Sequence, residues 1–196
     1  MSKNVETFDR WIRSSFVEMN SELEESYFAQ AERHVVEGIG DSIKQQMHDE
    51  GRSYIVPLLK EGNTDEGFEQ AYDLLGAVGL YMAACRRHEI TEPSRETTSP
   101  LVEASALALH IATTVGVSPR FATAHLATHN LAKDGLPRTF TNLKDEYIFL
   151  DYNTLGVLAY QRAADALRRI LPMGISHPVT HYLLRDAKDA LADVIA

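Results

Sequence analysis

The chain has 196 residues, 44% hydrophobic and 24% charged, enough to bury the core of one domain and too apolar for a disordered chain. Its 28 acidic residues outnumber 19 basic ones, and the net charge of −9 excludes a generic nucleic-acid binder. The one cysteine, Cys85, excludes an intrachain disulfide and a cysteine-based zinc site.

A single thiol also points to a reducing, cytoplasmic setting. The N-terminus lacks the charged-then-apolar profile of a secretion signal. The longest apolar run, residues 74–85, is too short to cross a bilayer, so no membrane partner is expected. Charge is unevenly spread. Residues 1–70 carry 15 acids against 7 bases, so that stretch holds −8 of the −9.

Apolar residues recur at helical spacing along the whole chain, and no stretch alternates with a period of two. Residues 5–36 predict a first helix, because Phe8, Ile12, Phe16, Met19, Leu23 and Tyr27 form one stripe that ends at Gly38 and Gly40. Residues 1–40 thus read as an acidic N-terminal helix that packs on the core or on a partner subunit. Asp41 or Ser42 caps a short helix carrying Ile43 and Met47, and residues 51–57 read as a break, since Pro57 disfavours helix at Val56. Asn63, Thr64 and Asp65 cap a helix over 66–87. Within it, Gly76 and Gly79 permit close helix packing, and Cys85 reads as a small core residue.

Residues 91–98 read as a loop. Ser99-Pro100 opens a helix to about 115, and Ser118-Pro119 repeats the signal for a helix to about 132. Gly135, Pro137 and Thr139 mark a loop. Asn142, with Asp145 three residues on, starts a long helix to about 171, and its broad apolar surface places it at the core. Ser176 caps the last helix, which carries Val179, Leu183, Ala187, Ala190 and Val194. The expectation is an all-α, single-domain bundle over 1–196, with six longer helices and one short one.

Eight histidines invite a metal or cofactor reading. His125/His129 and His177/His181 are i,i+4 pairs that one helix face could present to a shared ligand. Neither pair has the Glu of H-E-x-x-H, and no histidine has an acid three residues before it, as a di-iron bundle requires. No discrete metal-ion site is therefore expected. Asp151, in the apolar run 148–153, reads as a buried acid that orders helix ends or as a substrate-facing carboxylate.

Four groups of residues carry a resemblance. They are Cys85-Arg86-Arg87-His88, then Val117-Ser118-Pro119-Arg120, then Ala124-His125-Leu126 with Asn130, and finally residues 138–146, Arg138-Thr139-Phe140-Thr141-Asn142-Leu143-Lys144-Asp145-Glu146. Over residues 76–167 the chain resembles the PrnB-like family, named for monodechloroaminopyrrolnitrin synthase. The resemblance implies a helical fold related to haem-dependent dioxygenases that act on tryptophan and indole rings. In that family the haem-ligating histidine lies in the C-terminal half of a longer chain, so the resemblance assigns no ligand here, although His125 matches a histidine of the family's N-terminal half.

Two readings stay open. One is a compact haem or oxygen enzyme acting on a small aromatic substrate, its pocket assembled between subunits, with His125, His129, His177 or His181 as the axial ligand to haem. The other is a non-catalytic helical binding or assembly protein, a homodimer whose first helix docks on its neighbour through Phe8, Trp11 and Phe16.

Overall fold

The computed structural model describes residues 2–62, 67–91 and 101–194. Eight α-helices account for it: α1 (Lys3–Ile12), α2 (Ser15–Phe28), α3 (Asp41–Glu61), α4 (Phe68–Arg87), α5 (Val102–Val115), α6 (Thr123–Ala127), α7 (Lys144–Ile170) and α8 (Pro178–Asp193). No strand occurs among the described residues beyond one isolated bridge, Lys133 with Leu136, so the chain is an all-α bundle as its periodicity implies. None of its described helices is long and apolar enough to cross a membrane. The expected caps at 63–65 and at Ser99-Pro100, and most of the expected loop over 91–98, lie outside the described residues.

By its contacts the chain divides into two compact units, Met1–Glu146 and Tyr147–Ala196. In the first, the predicted N-terminal stripe is fully used: Phe8, Ile12, Phe16, Leu23 and Tyr27 are completely buried, and Trp11 and Met19 nearly so. The helix that carries the stripe is not continuous. It breaks at Arg13 and Ser14, where the Ser14 hydroxyl turns back to donate to Arg10 O at 2.8 Å, and it ends at Phe28, well before the glycines. Val36 is then free to fold inward, and it is 3% exposed.

The expected break over 51–57 is absent, and α3 runs through both Gly51 and Pro57. Tertiary packing explains this. A Cβ on Gly51 would stand 2.2 Å from Tyr81 Cε2, so the glycine serves the approach of α4 rather than a turn. On the same face Trp11 Nε1 donates to Glu50 Oε2 at 2.7 Å, while its ring packs on Phe8, Phe16, Tyr54 and Tyr81. The burial these rings secure outweighs the one backbone hydrogen bond that Pro57 removes. Cys85 is fully buried in α4, as expected, and burial pushes its thiol up to about 12, which leaves it unreactive.

The segment after α6 is fixed by charge. Arg138 is 7% exposed and forks onto two buried carboxylates: its Nε donates to Asp9 Oδ1 at 2.7 Å and its Nη2 to Asp73 Oδ2 at 2.6 Å. Asp9 also receives Arg13 Nε at 3.1 Å and the Lys133 ammonium. The Arg138 main chain is held in turn by the Asn130 amide, which accepts from Arg138 N at 2.8 Å and donates to Arg138 O at 2.7 Å. Burial alone would raise the Asp9 pKa, but Arg138, Lys133 and Arg13 together hold it below the usual carboxylate value.

The start of α7 lies near its predicted place with a different cap. Glu146, not Asp145, reaches back, accepting from Phe140 N at 2.6 Å, Thr141 N at 2.7 Å and the Thr141 hydroxyl.

The second unit is a helical hairpin. Ala163 and Ala166 of α7 pack on Leu183, Ala187 and Ala190 of α8, with Ile170 and Met173 beside them. Arg162 clamps the pair, 3.0 Å from both Asp186 and Asp193. The expectation that α7 lies at the core fails in its N-terminal half, where Phe149 is 60% and Tyr152 72% exposed. Asp151 is exposed too, so it is not the buried acid its apolar neighbours suggest. A wide apolar surface does not bring burial here, because within this hairpin α8 covers only the C-terminal part of α7.

Candidate functional site

Gly76 and Gly79 form the seat of the site. A Cβ at 76 would lie 3.1 Å from His125 Cδ2, and one at 79 would lie 3.0 Å from Phe121 Cβ. The two glycines therefore let the segment from Phe121 to His125 settle directly on α4, the close packing their spacing implied. The same seating explains why the predicted helix over 118–132 shrinks to Thr123–Ala127. The chain bends to place Phe121 and His125 against α4, and α6 keeps a single turn.

His125 is 5% exposed, with its ring centroid 4.2 Å from that of Tyr72 and 5.7 Å from that of Phe121. Its Nδ1 accepts from Ala122 N at 3.0 Å. The proton of the neutral ring therefore sits on Nε2, a buried atom with no hydrogen-bond partner. Burial, then the neighbouring His129, lower its pKa and keep it uncharged.

The Thr128 hydroxyl lies 2.9 Å from His129 Nδ1 and 3.4 Å from Ala124 O, so His129 Nδ1 meets an oxygen able to accept a ring N–H, where His125 Nδ1 meets a backbone donor. The His129 ring is half-buried and stands edge-on to Tyr72 at 5.0 Å. The two imidazoles share Tyr72, though not as an i,i+4 pair on one helix, because α6 ends at Ala127. His177 and His181 sit apart in the second unit. Both are exposed; His177 is the N-cap of α8, its Nδ1 accepting from Val179 N at 3.2 Å. No group of three or more potential metal ligands occurs among the described residues.

A cavity of about 400 Å³ opens on the other side of Phe121. Leu75, Gly79 and Met82 of α4, Ala108 of α5, and Pro119 and Phe121 of the loop form its apolar wall. Arg86 and Arg120, both exposed, also line it, with Thr91 and Leu101 at its edge, and among the described residues neither arginine side chain has an ion-pair partner. None of the four candidate histidines lines it. A concave apolar wall with two guanidinium groups that meet no carboxylate among the described residues suits a small, flat, monoanionic ligand.

Arg86 and Arg120 lie inside the clusters that carry the resemblance, where neither has a site role in the sequence alone; the available signal is an arginine beside apolar helix or loop residues in each cluster. Arg138 and Asn130 belong to the same clusters and prove structural.

A family model described as monodechloroaminopyrrolnitrin synthase PrnB matches residues 2–196. The chain belongs to the PrnB family. The match reaches well beyond residues 76–167 and takes in α1 and α2, which the scattered identities had left out. No curated protein matches the chain. Membership of the PrnB family makes haem-dependent oxidation of a tryptophan-related compound the family-level background against which the site is read.

Proposed function

We propose that this PrnB-family protein binds a small aromatic carboxylate of the indole or tryptophan class in the cavity beside Phe121. The observation that carries the reading is the pairing of an apolar wall with the guanidinium groups of Arg86 and Arg120. The wall takes an aromatic ring out of water, with Phe121 and the polarisable Met82 against it. The arginines supply charge-assisted hydrogen bonds to a carboxylate, worth about 0.5–1.5 kcal/mol each at exposed groups such as these. The family background favours an indole ring among flat anions of this size.

Calorimetric titration with tryptophan and with indole-3-acetate tests the reading. Both should bind the wild type. The Arg86→Ala, Arg120→Ala double variant should bind them roughly 10–100-fold more weakly, while indole itself should be insensitive to the change. Absence of binding, or binding indifferent to both arginines, rejects the proposal.

A second reading adds haem, and the orientation of His129 favours it. A metal-bound histidine normally donates its other ring N–H to an oxygen, and His129 Nδ1 has the Thr128 hydroxyl to donate to, whereas His125 Nδ1 faces a backbone N–H that can only donate. The buried His125 would have to give up its bond from Ala122 to ligate through Nε2, and His177 and His181 are surface residues with no enclosing wall. His129 is thus the residue that would hold haem, and bound haem would supply the activation of dioxygen for oxidation of the aromatic ring.

Titrating the purified protein with haemin should produce a Soret band that His129→Ala shifts or abolishes and His177→Ala leaves unchanged. A protein that stays colourless removes the haem reading and leaves a non-catalytic binder of aromatic acids. The buried Cys85 thiol is in keeping with a reducing, cytoplasmic setting for either role.

A further inference from the structure

His125 holds a buried donor that the chain itself leaves unused. Its ring is 5% exposed, its Nδ1 accepts from Ala122 N at 3.0 Å, and its Nε2 meets no acceptor. The neighbouring rings do not substitute for one. An imidazole N–H lies in the plane of its own ring, and the rings of Tyr72 and Phe121 are inclined to that plane by only 31° and 18°. The N–H therefore runs past both faces rather than into either. A buried polar group without a partner is rare and calls for a cause.

Its place along α4 supplies one. Tyr72, Gly76, Gly79, Ala83 and Arg86 follow one another at steps of four, three, four and three, so they form one stripe of the helix. His125 sits at the inner end of that stripe, against Tyr72 and Gly76. Gly79, Ala83 and Arg86 line the cavity at its outer end. Gly76 and Gly79 are only ~4.5 Å apart along the helix axis. Phe121 stands at the junction, seated on Gly79 and nearly parallel to the His125 ring. The imidazole thus shares a groove with the cavity, behind a single side chain. That side chain is half-buried and belongs to the non-helical stretch between α5 and α6. All of these groups lie in the first unit.

We propose that the ligand of this cavity carries a hydrogen-bond acceptor on the ring edge opposite its carboxylate, and that this edge displaces the Phe121 ring to accept from His125 Nε2. The proposal rests on the aromatic-acid reading above. With the carboxylate at Arg86 and Arg120, the far edge of the ring points along the stripe toward Gly79 and Gly76. An ether or keto oxygen there meets a donor already withdrawn from solvent, whereas a ligand without it leaves the N–H unpaired. His125 is then a specificity residue, and Phe121 is the movable wall in front of it.

Calorimetric titration of the full chain with a matched set of acids is the test: indole-3-acetate and its 5-methoxy, 6-methoxy, 5-ethyl and 6-ethyl derivatives. Methoxy and ethyl groups share a shape and differ by one acceptor oxygen. The wild type should prefer the methoxy acid over its ethyl counterpart roughly 5–100-fold at one of the two positions. His125→Phe should equalise the two. Phe121→Ala should tighten both substituted acids relative to indole-3-acetate, because no ring has to move. A second readout needs no variant: in the NMR spectrum of the wild type, the proton on His125 Nε2 should shift downfield with the preferred methoxy acid and not with its ethyl counterpart. Equal affinities at both positions, a preference that survives His125→Phe, a Phe121→Ala ratio unchanged from wild type, or an Nε2 proton indifferent to the methoxy acids overturns the proposal. The aromatic-acid reading stands in each of those cases if indole-3-acetate still binds through the two arginines. Failure of indole-3-acetate itself to bind removes that reading, and the proposal with it.

Discussion

Replacing Arg138 with methionine is expected to destabilise the protein by about 3–5 kcal/mol, a fall in melting temperature of roughly 6–20 °C for a chain of this size. The cost arises from what is left behind. Asp9 keeps Arg13 and Lys133, but the structure gives Asp73 no other ion pair among the described residues, so its carboxylate stays nine-tenths buried without a counter-charge. Adding Asp73→Asn to the methionine variant should recover part of the loss, because the uncompensated charge disappears while the volume is kept. Arg138→Lys should fall between, since a single ammonium cannot satisfy both carboxylates as the planar fork does. Urea denaturation of the four proteins measures the series; equal stability of wild type and Arg138→Met would show that the cluster contributes nothing net.

Stability should also decline by about 3 kcal/mol as pH is lowered from 6.5 to 4, through His88. This residue ends α4 and is 1% exposed. Its Nε2–H donates to Asn20 Oδ1 at 2.7 Å, and its Nδ1 accepts from the Tyr27 hydroxyl at 3.0 Å, so both nitrogens are satisfied by the neutral ring. Burial, reinforced by Arg87 and Lys44, pushes its pKa down from 6.5 to about 4. Between those values the unfolded chain binds a proton at this position and the folded chain does not. Acid therefore favours unfolding over that window, and the full contribution of the neutral ring is present above pH 6.5.

Asp9 contributes at lower pH. Its carboxyl is held below 3.8, so its share is present above that value and is lost as the pH falls beneath it. Urea midpoints at a series of pH values should show the decline in the wild type and a flatter profile in His88→Gln. Parallel profiles would place the acid sensitivity elsewhere.

The features legible in the sequence were those that act within a few turns of helix. The stripe from Phe8 to Tyr27, the glycine pair in α4, the inert Cys85, the end of α5 at Gly116 and the extent of α7 follow from periodicity and from punctuation by Gly and Pro, and they stand in the structure. Errors came where distant contacts overrule local preference. Gly51 and Pro57 look like a break until Tyr81 is placed over Gly51. Ser118-Pro119 looks like a helix start until Phe121 and His125 are drawn onto α4.

The charge cluster was invisible for the same reason. Arg138 stands 129 residues from Asp9 and 65 from Asp73, and no spacing rule connects such positions. At the site, the four histidines were chosen by residue type and spacing alone. What separates His125 from His129 is the partner of Nδ1, a backbone N–H for one and a hydroxyl for the other, which depends on three-dimensional placement. The arginines of the cavity belong to the family identities, and the absence of an ion-pair partner for them among the described residues is likewise a fact of three-dimensional placement.

The long reach of the Arg138 fork bears on how the protein is made. Asp9 is synthesised before two of its three bases, Lys133 and Arg138, which follow it by 124 and 129 residues. Until they arrive, only Arg13 can compensate its charge, and α1 cannot settle fully although its aromatic residues are already exposed. During that interval Phe8 and Trp11 are open to chance association with other nascent chains. Late locking of an early helix makes the yield of native protein during translation depend on how soon residues 130–138 emerge.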